Sequence, residues 1–110
     1  MDSEDSLGNT SILPIKTFQE IFIGTASREE SEKLLEKSKA GSFHVRWSST
    51  QSRYVISRRL EETSDHITVN QTTVGDVQYF SIKAGQGRRS LLLLIESHRE
   101  DHQLLSPVVR

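Results

Sequence analysis

The chain is most informative over ten residues, Gly41-Ser42-Phe43-His44-Val45-Arg46-Trp47-Ser48-Ser49-Thr50. They place one arginine, Arg46, inside an otherwise apolar strand pattern, and a run of hydroxyl residues follows it directly. A buried guanidinium group is costly unless an anion or a network of acceptors meets it, and it is well shaped for bidentate capture of a phosphate. Taken alone, Arg46 would suit an exposed strand arginine paired with a carboxylate. Because loop hydroxyl and N–H groups can donate to the same oxygens, the whole stretch predicts a phosphate-binding strand and loop.

Two helices are predicted on either side of this strand. Ser27-Arg28-Glu29-Glu30 is a capping box, and the helix it opens is expected to run to about Lys39 and to end at Ala40-Gly41. Its thin apolar stripe, Leu34 and Leu35, indicates that it covers a sheet. A second amphipathic helix is predicted where residues recur at helical spacing near the end of the chain: Leu91, Leu94, Ile95 and His98.

Four strands are predicted between the helices, over residues 42–47, 54–59, 66–72 and 77–82. This order of elements is typical of an α+β fold, in which a central antiparallel β-sheet is flanked by one α-helix on each side.

Composition indicates one small domain. The chain has 110 residues, of which 34% are hydrophobic, and a mean hydropathy of −0.50. We expect residues 1–17 to be a flexible leader or linker, and residues 18–110 to form a monomeric domain.

Charge and cysteine content exclude several classes of partner. A formal net charge of −1 gives no general attraction to nucleic acid or to an anionic membrane. No apolar run approaches the roughly 20 residues of a membrane span, and the acidic N-terminus lacks the features of a signal peptide. The chain has no cysteine, which excludes disulfides and thiolate metal sites and fits a reducing, cytoplasmic compartment.

Five stretches, in the right order, resemble the Src homology 2 (SH2) domain. Residues 41–48 are similar to its signature Gly-x-Phe-Leu-Val-Arg-x-Ser, with His44 in place of the usual Leu. The others resemble the entry turn and first helix (24–35), the third strand (54–57), the fourth strand (65–69) and the second helix (90–98). The resemblance covers about Phe18 to Val108, and the triplet Arg46-Trp47-Ser48 resembles that of Janus-kinase members.

The resemblance implies a phosphotyrosine-binding module in signalling, such as an adaptor, with tyrosine-phosphorylated peptides or proteins as partners. It places the phosphotyrosine against seven residues: Arg46, Arg28, Ser48, Ser49, Thr50, His66 and Thr68. Thr68 stands where many members carry a long cation beside the tyrosine ring. Arg28 could instead be an ordinary surface residue, the hydroxyl run an ordinary loop, and His66 a structural histidine bonded to the backbone.

Ligand residues after the phosphotyrosine are expected to meet an apolar groove formed by Ile67, Val69 and Ile82. Residues 77–82 with the loop 83–89 would form one wall of this groove and residues 103–108 the other. Lys83, Arg88 and Arg89 would either favour acidic ligand residues or belong to a solvated loop.

The alternative, from a different functional class, is a structural SH2-like domain. Such a domain packs against a kinase or scaffold domain and has weak or no phosphotyrosine binding. Another alternative is binding of a different anion, such as a phosphoinositide headgroup. Catalysis, cofactors and metal sites are not expected, because the four histidines show no metal-ligand spacing and no Ser, His and Asp arrangement stands out. Residues 85–87 also lack the third glycine of a nucleotide-binding loop.

Overall fold

The computed structural model describes residues 14–82 and 87–110. Most of the predicted leader, residues 1–13, lies outside the described residues. So do residues 83–86, which include Lys83 and most of the glycine-containing break before the second helix.

Seven strands form two sheets in the described part of the chain. They are β1 (Phe22–Thr25), β2 (Ser42–Ser48), β3 (Arg53–Arg59), β4 (Ser64–Thr68), β5 (Asn70–Val74), β6 (Val77–Ser81) and β7 (Ser106–Pro107). The larger sheet has the order β1-β2-β3-β4, with β7 also paired to β2. Its centre is antiparallel, because β3 runs antiparallel to both β2 and β4, while β1 and β7 run parallel to β2. β5 and β6 form a separate antiparallel pair.

Two α-helices cover the larger sheet, α1 (Arg28–Leu35) and α2 (Leu91–Ser97), and a 3-10 helix (Phe18–Glu20) precedes β1. Their N-caps follow the sequence: Ser27 and Glu30 form the predicted capping box, and the Ser90 side chain accepts from the Leu93 N–H. None of the helices in residues 14–82 and 87–110 has the length and apolar character needed to cross a membrane.

The side chains of β2 point alternately to the two faces of the sheet. Since successive strand side chains point to opposite faces, the hydrogen bond between His44 and Ser31 of α1 places His44 and Arg46 on the α1 face. Phe43 and Val45 point the other way and belong to the main hydrophobic core with Leu94 and Ile95 of α2. The predicted α+β class, with one helix on each side of a central antiparallel sheet, is confirmed.

The first helix is shorter than predicted, because it ends at Leu35 and not near Lys39. Leu35 is fully buried, whereas residues 36–39 are exposed or half-buried, so little packing would hold another turn against the sheet. Gly41 therefore does not end the helix. It turns the chain into β2 with a φ of +94°, and a Cβ there would lie 2.9 Å from Leu105 Cδ1, so this position requires glycine.

The predicted strand 66–72 is in fact two strands that separate at Val69. β4 pairs with β3, while β5 leaves the larger sheet and pairs with β6. Between them, the Val69 N–H donates to the Tyr54 carbonyl over 2.9 Å, and the Val69 side chain is 1% exposed. The hydrophobic pattern does not reveal this break, because Val69 is apolar and buried at the bend just as it would be within a continuous strand.

The described end of the predicted leader contacts the domain. Ile15 is buried and belongs to the main core, and the backbone N–H groups of Lys16 and Thr17 donate to the Glu20 carboxylate. Packing against the domain thus begins before Phe18.

Candidate functional site

A cavity of about 490 Å³ opens between the start of α1 and the loop that follows β2. Six of the seven predicted phosphotyrosine residues line it: Arg28, Arg46, Ser48, Ser49, Thr50 and His66. The chain brings them together from four elements, α1, β2, its following loop and β4, on the α1 face of the sheet.

Arg46 lies at the inner end of this cavity and is 3% exposed. Its Nε donates to the Ser57 hydroxyl over 3.2 Å and its Nη1 to the Ala26 carbonyl over 3.1 Å. Burial, followed by the nearby charge of Arg28, lowers the pKa of Arg46 below its usual value. No carboxylate in the described residues forms an ion pair with it, so Arg46 is not the exposed, carboxylate-paired arginine of the alternative interpretation.

A chain of hydrogen bonds connects Arg46 to Arg28. The Ser57 hydroxyl lies 2.8 Å from His66 Nδ1, and His66 Nε2 lies 2.9 Å from Glu32 Oε2. That same carboxylate oxygen accepts from Arg28 Nε over 3.1 Å. Since Ser57 already accepts from Arg46, its proton can go to His66 Nδ1, which leaves a proton on His66 Nε2 for Glu32.

His66 is therefore held by side chains of β3 and α1. Its ring bonds Ser57 and Glu32 rather than backbone groups, which differs from the plainer interpretation of a backbone-bonded structural histidine. The interaction with His66, and then that with Arg28, lowers the pKa of Glu32, so this carboxylate is charged at neutral pH and neutralises part of the cationic cavity.

The loop after β2 supplies hydroxyl groups of two kinds. Ser48 is buried, and its oxygen accepts from the Gln51 N–H over 3.3 Å and lies 3.2 Å from Thr50 Oγ1. Ser49 and Thr50 are exposed. Ser48 thus fixes the turn, while its neighbours remain open to a ligand.

Arg28 is the first residue of α1 and has an exposed side chain, 67% accessible. Its ion pair with Glu32 is a surface pair within one helix, and such pairs are weak. Arg28 is therefore only weakly held by Glu32.

The family model described as SH2 domain matches residues 21–98 of this chain. The chain belongs to the SH2 family. No curated protein matches it. Membership in the family implies a phosphotyrosine-binding signalling module whose partners are phosphotyrosine-containing proteins.

The remaining predicted residues of this SH2 domain lie outside the cavity lining. Thr68 is on the same face of β4 as His66, and its hydroxyl donates to Gln51 Oε1 over 3.3 Å. Ile67 lies on the opposite face and, like Ile82, is partly buried against the main core. Val69 belongs to the core itself and is 1% exposed, so the accessible part of the predicted groove lies at Ile67 and Ile82.

Sequence reasoning missed three side chains of the site: Ser57, Glu32 and Gln51. Glu32 follows Arg28 by four residues, a spacing at which opposite charges meet on a helix, and this signal was present in the sequence. Ser57 and Gln51 gave no such signal, because their positions depend on how β3 aligns with its neighbours and on how the loop turns at Ser52, which has a φ of +53°.

Proposed function

We propose that this SH2 domain binds tyrosine-phosphorylated protein segments with Arg46 as the main phosphate ligand. The observation that carries the proposal is the state of Arg46: it is 3% exposed, fixed by Ser57 and Ala26, and lines a cavity without a carboxylate partner among the described residues. A dianionic group would supply the missing counter-charge.

The other cavity residues complete the contact with the phosphate. A phosphotyrosine carries about −1.5 to −2 charges and three acceptor oxygens. Arg46 would grip two of them, and Ser48, Ser49 and Thr50 would donate from the loop. Arg28 would turn from Glu32 toward the phosphate and the tyrosine ring, with His66 and Thr68 beside the ring.

Ligand residues that follow the phosphotyrosine would contact an apolar groove at Ile67 and Ile82, on the opposite face of the sheet. Both side chains are partly buried against the core and partly accessible. We infer that they favour apolar ligand residues, in a monomeric cytoplasmic module of the adaptor type that lacks catalytic activity and does not bind nucleic acid.

The proposal is tested by titrating a degenerate phosphotyrosine peptide library against its unphosphorylated twin, using fluorescence polarisation. The parent chain should bind only the phosphorylated peptides. Arg46→Lys should weaken binding at least about 30-fold, a cost of about 2–5 kcal/mol, because lysine cannot reproduce the bidentate contact of a buried guanidinium.

The matched control is Arg53→Lys. Arg53 is an exposed strand arginine that donates to Asn70 Oδ1 and does not line the cavity, so its variant should bind as the parent does. If the parent chain binds phosphorylated and unphosphorylated peptides equally, the structural SH2-like domain is favoured instead. If the phosphopeptide affinity of Arg46→Lys lies within twofold of the parent's, the proposed role of Arg46 is overturned. Binding of inositol phosphates in preference to phosphopeptides would indicate the other anion.

A further inference from the structure

A second cluster of chemically reactive side chains lies at the end of α2. It consists of His98, Asp101 and His102, and one ligand atom from each lies within 4.8 Å of the other two. None of the three lines the cavity at Arg46, so the cluster is separate from the proposed phosphotyrosine site.

Both imidazole rings converge on a single carboxylate. His98 Nδ1 lies 3.2 Å from Asp101 Oδ2, and His102 Nδ1 lies 3.4 Å from Asp101 Oδ1. A zinc ion about 2.0–2.2 Å from each of its ligands holds tetrahedral ligands about 3.3–3.6 Å apart. The two histidine–carboxylate separations are close to that spacing, although each runs to a different oxygen of Asp101, and all three ligand atoms lie within 4.8 Å of one another, so the three groups must draw together around one ion.

A purely structural role accounts for one of the two histidines. His98 Nδ1 is hydrogen bonded to Asp101, which is a common arrangement at a helix end. His102 Nδ1 lies 3.4 Å from Asp101 Oδ1, and this nitrogen is buried without a hydrogen-bond partner among the described residues. A buried nitrogen of this kind is costly, and a cation between the two rings would satisfy it.

The fold holds the cluster in place. The His102 N–H donates to the His98 carbonyl over 3.1 Å, so one helical turn fixes the spacing of the two rings. The His102 carbonyl accepts from Arg58 Nη1 of β3 over 2.7 Å. His98 is 9% exposed at its side chain, while Asp101 is 56% exposed, which leaves solvent access on the carboxylate side.

We propose that His98, Asp101 and His102 form a zinc-binding site with three protein ligands and one open position. Two imidazoles select a transition metal over Mg²⁺ or Ca²⁺, which prefer oxygen ligands. The α2 C-terminus adds a favourable field for a cation. The third ligand in this proposal is the aspartate between His98 and His102, which histidine spacing alone does not indicate.

Bound zinc would hold the single turn at residues 98–102 that follows α2. Because a ligand that binds only the folded state raises its stability by mass action, zinc would stabilise the folded domain. This effect is independent of phosphate binding.

The site is tested by isothermal titration of ZnCl₂ into the tag-free, chelator-treated full chain, with MgCl₂ as a second titrant. Zinc should bind with a stoichiometry near one and magnesium should not bind. At a hundredfold excess over the dissociation constant, zinc should raise the melting temperature by roughly 10 °C. The ring ¹⁵N signals of His98 and His102 should shift in NMR spectra on zinc addition.

His102→Gln and Asp101→Asn change the two more exposed ligands and should each weaken zinc binding at least tenfold. His66→Gln is the matched control, because His66 also pairs with a carboxylate, Glu32, at 2.9 Å, but this pair has no third metal-ligating residue in the part of the chain that the structure describes. It should bind zinc as the parent does. The proposal is overturned if the parent does not bind zinc, if His66→Gln loses binding as His102→Gln does, or if the shifted ring signals belong to His44 or His66.

Discussion

His44 is an ionisable side chain in the interior of the domain. The side chain is fully buried and its Nε2 is hydrogen bonded to the Ser31 hydroxyl of α1. Burial lowers the pKa of His44 from 6.5 to about 4, because the charged form loses its hydration. The ring is therefore neutral in the folded state at physiological pH.

The depressed pKa of His44 predicts acid sensitivity. Between pH 6.5 and about 4 the unfolded chain binds a proton that the folded chain does not, so stability falls as the pH falls. The loss should reach about 3 kcal/mol, measured by urea denaturation across this range. His44→Gln, whose amide can still bond Ser31, should flatten the slope relative to the parent. A His44 ring signal that titrates near 6.5 in NMR spectra would contradict the prediction.

Glu32 is predicted to weaken phosphate binding in this SH2 domain. Its carboxylate is hydrogen bonded to Arg28 and to His66. In the proposed binding mode, a phosphate would therefore compete with Glu32 for Arg28. Glu32→Gln should raise phosphopeptide affinity by roughly two- to fivefold at low salt, as expected for one exposed ion pair. Glu36→Gln, a change of the same charge one turn further along the chain, is the control. Weaker binding by Glu32→Gln would mean that Glu32 serves chiefly to orient His66.

At the scale of elements, the sequence was sufficient to predict a strand or a helix start where the type of a residue decides its structural role. The alternation Ser42, Phe43, His44, Val45 over β2 assigns each side chain to a face, and Ser27 with Glu30 marks the start of α1. The end of α1 and the break at Val69 could not be read in this way. Both depend on which neighbouring strand or helix is available for packing, and this is a property of the folded chain.

The two leucines of α1 provide a direct test of how the helix is held. Leu35 is fully buried, whereas Leu34 is partly exposed. Leu35→Ala should therefore destabilise the domain by about 2–5 kcal/mol, and Leu34→Ala by clearly less, as measured by urea denaturation. Equal losses for the two variants would mean that α1 is held through its caps and polar contacts and not through Leu35.

At the scale of the whole molecule, β4 forms the edge at which both faces of the larger sheet are reached. β4 is the last strand in the order β1-β2-β3-β4. Its neighbouring residues His66 and Ile67 point to opposite faces, His66 to the cavity and Ile67 to the α2 side. In the binding mode that we propose, a peptide crosses this edge with its phosphotyrosine at Arg46 and its following residues at Ile67.

This geometry predicts that phosphate dependence and sequence preference can be changed separately. Peptides with Leu, Ile, Val or Pro within about five residues after the phosphotyrosine should outbind those with Asp, Asn or Gly on an array, because burying one such side chain contributes roughly 1.5–3 kcal/mol. Ile67→Tyr should reduce this preference while the requirement for phosphate remains, since Ile67 does not line the cavity. Arg46→Lys should do the reverse, lowering all signals without changing their ranking. If Ile67→Tyr abolished phosphate dependence, or if the parent ranked all phosphopeptides equally, the two faces would not be read by one peptide crossing β4.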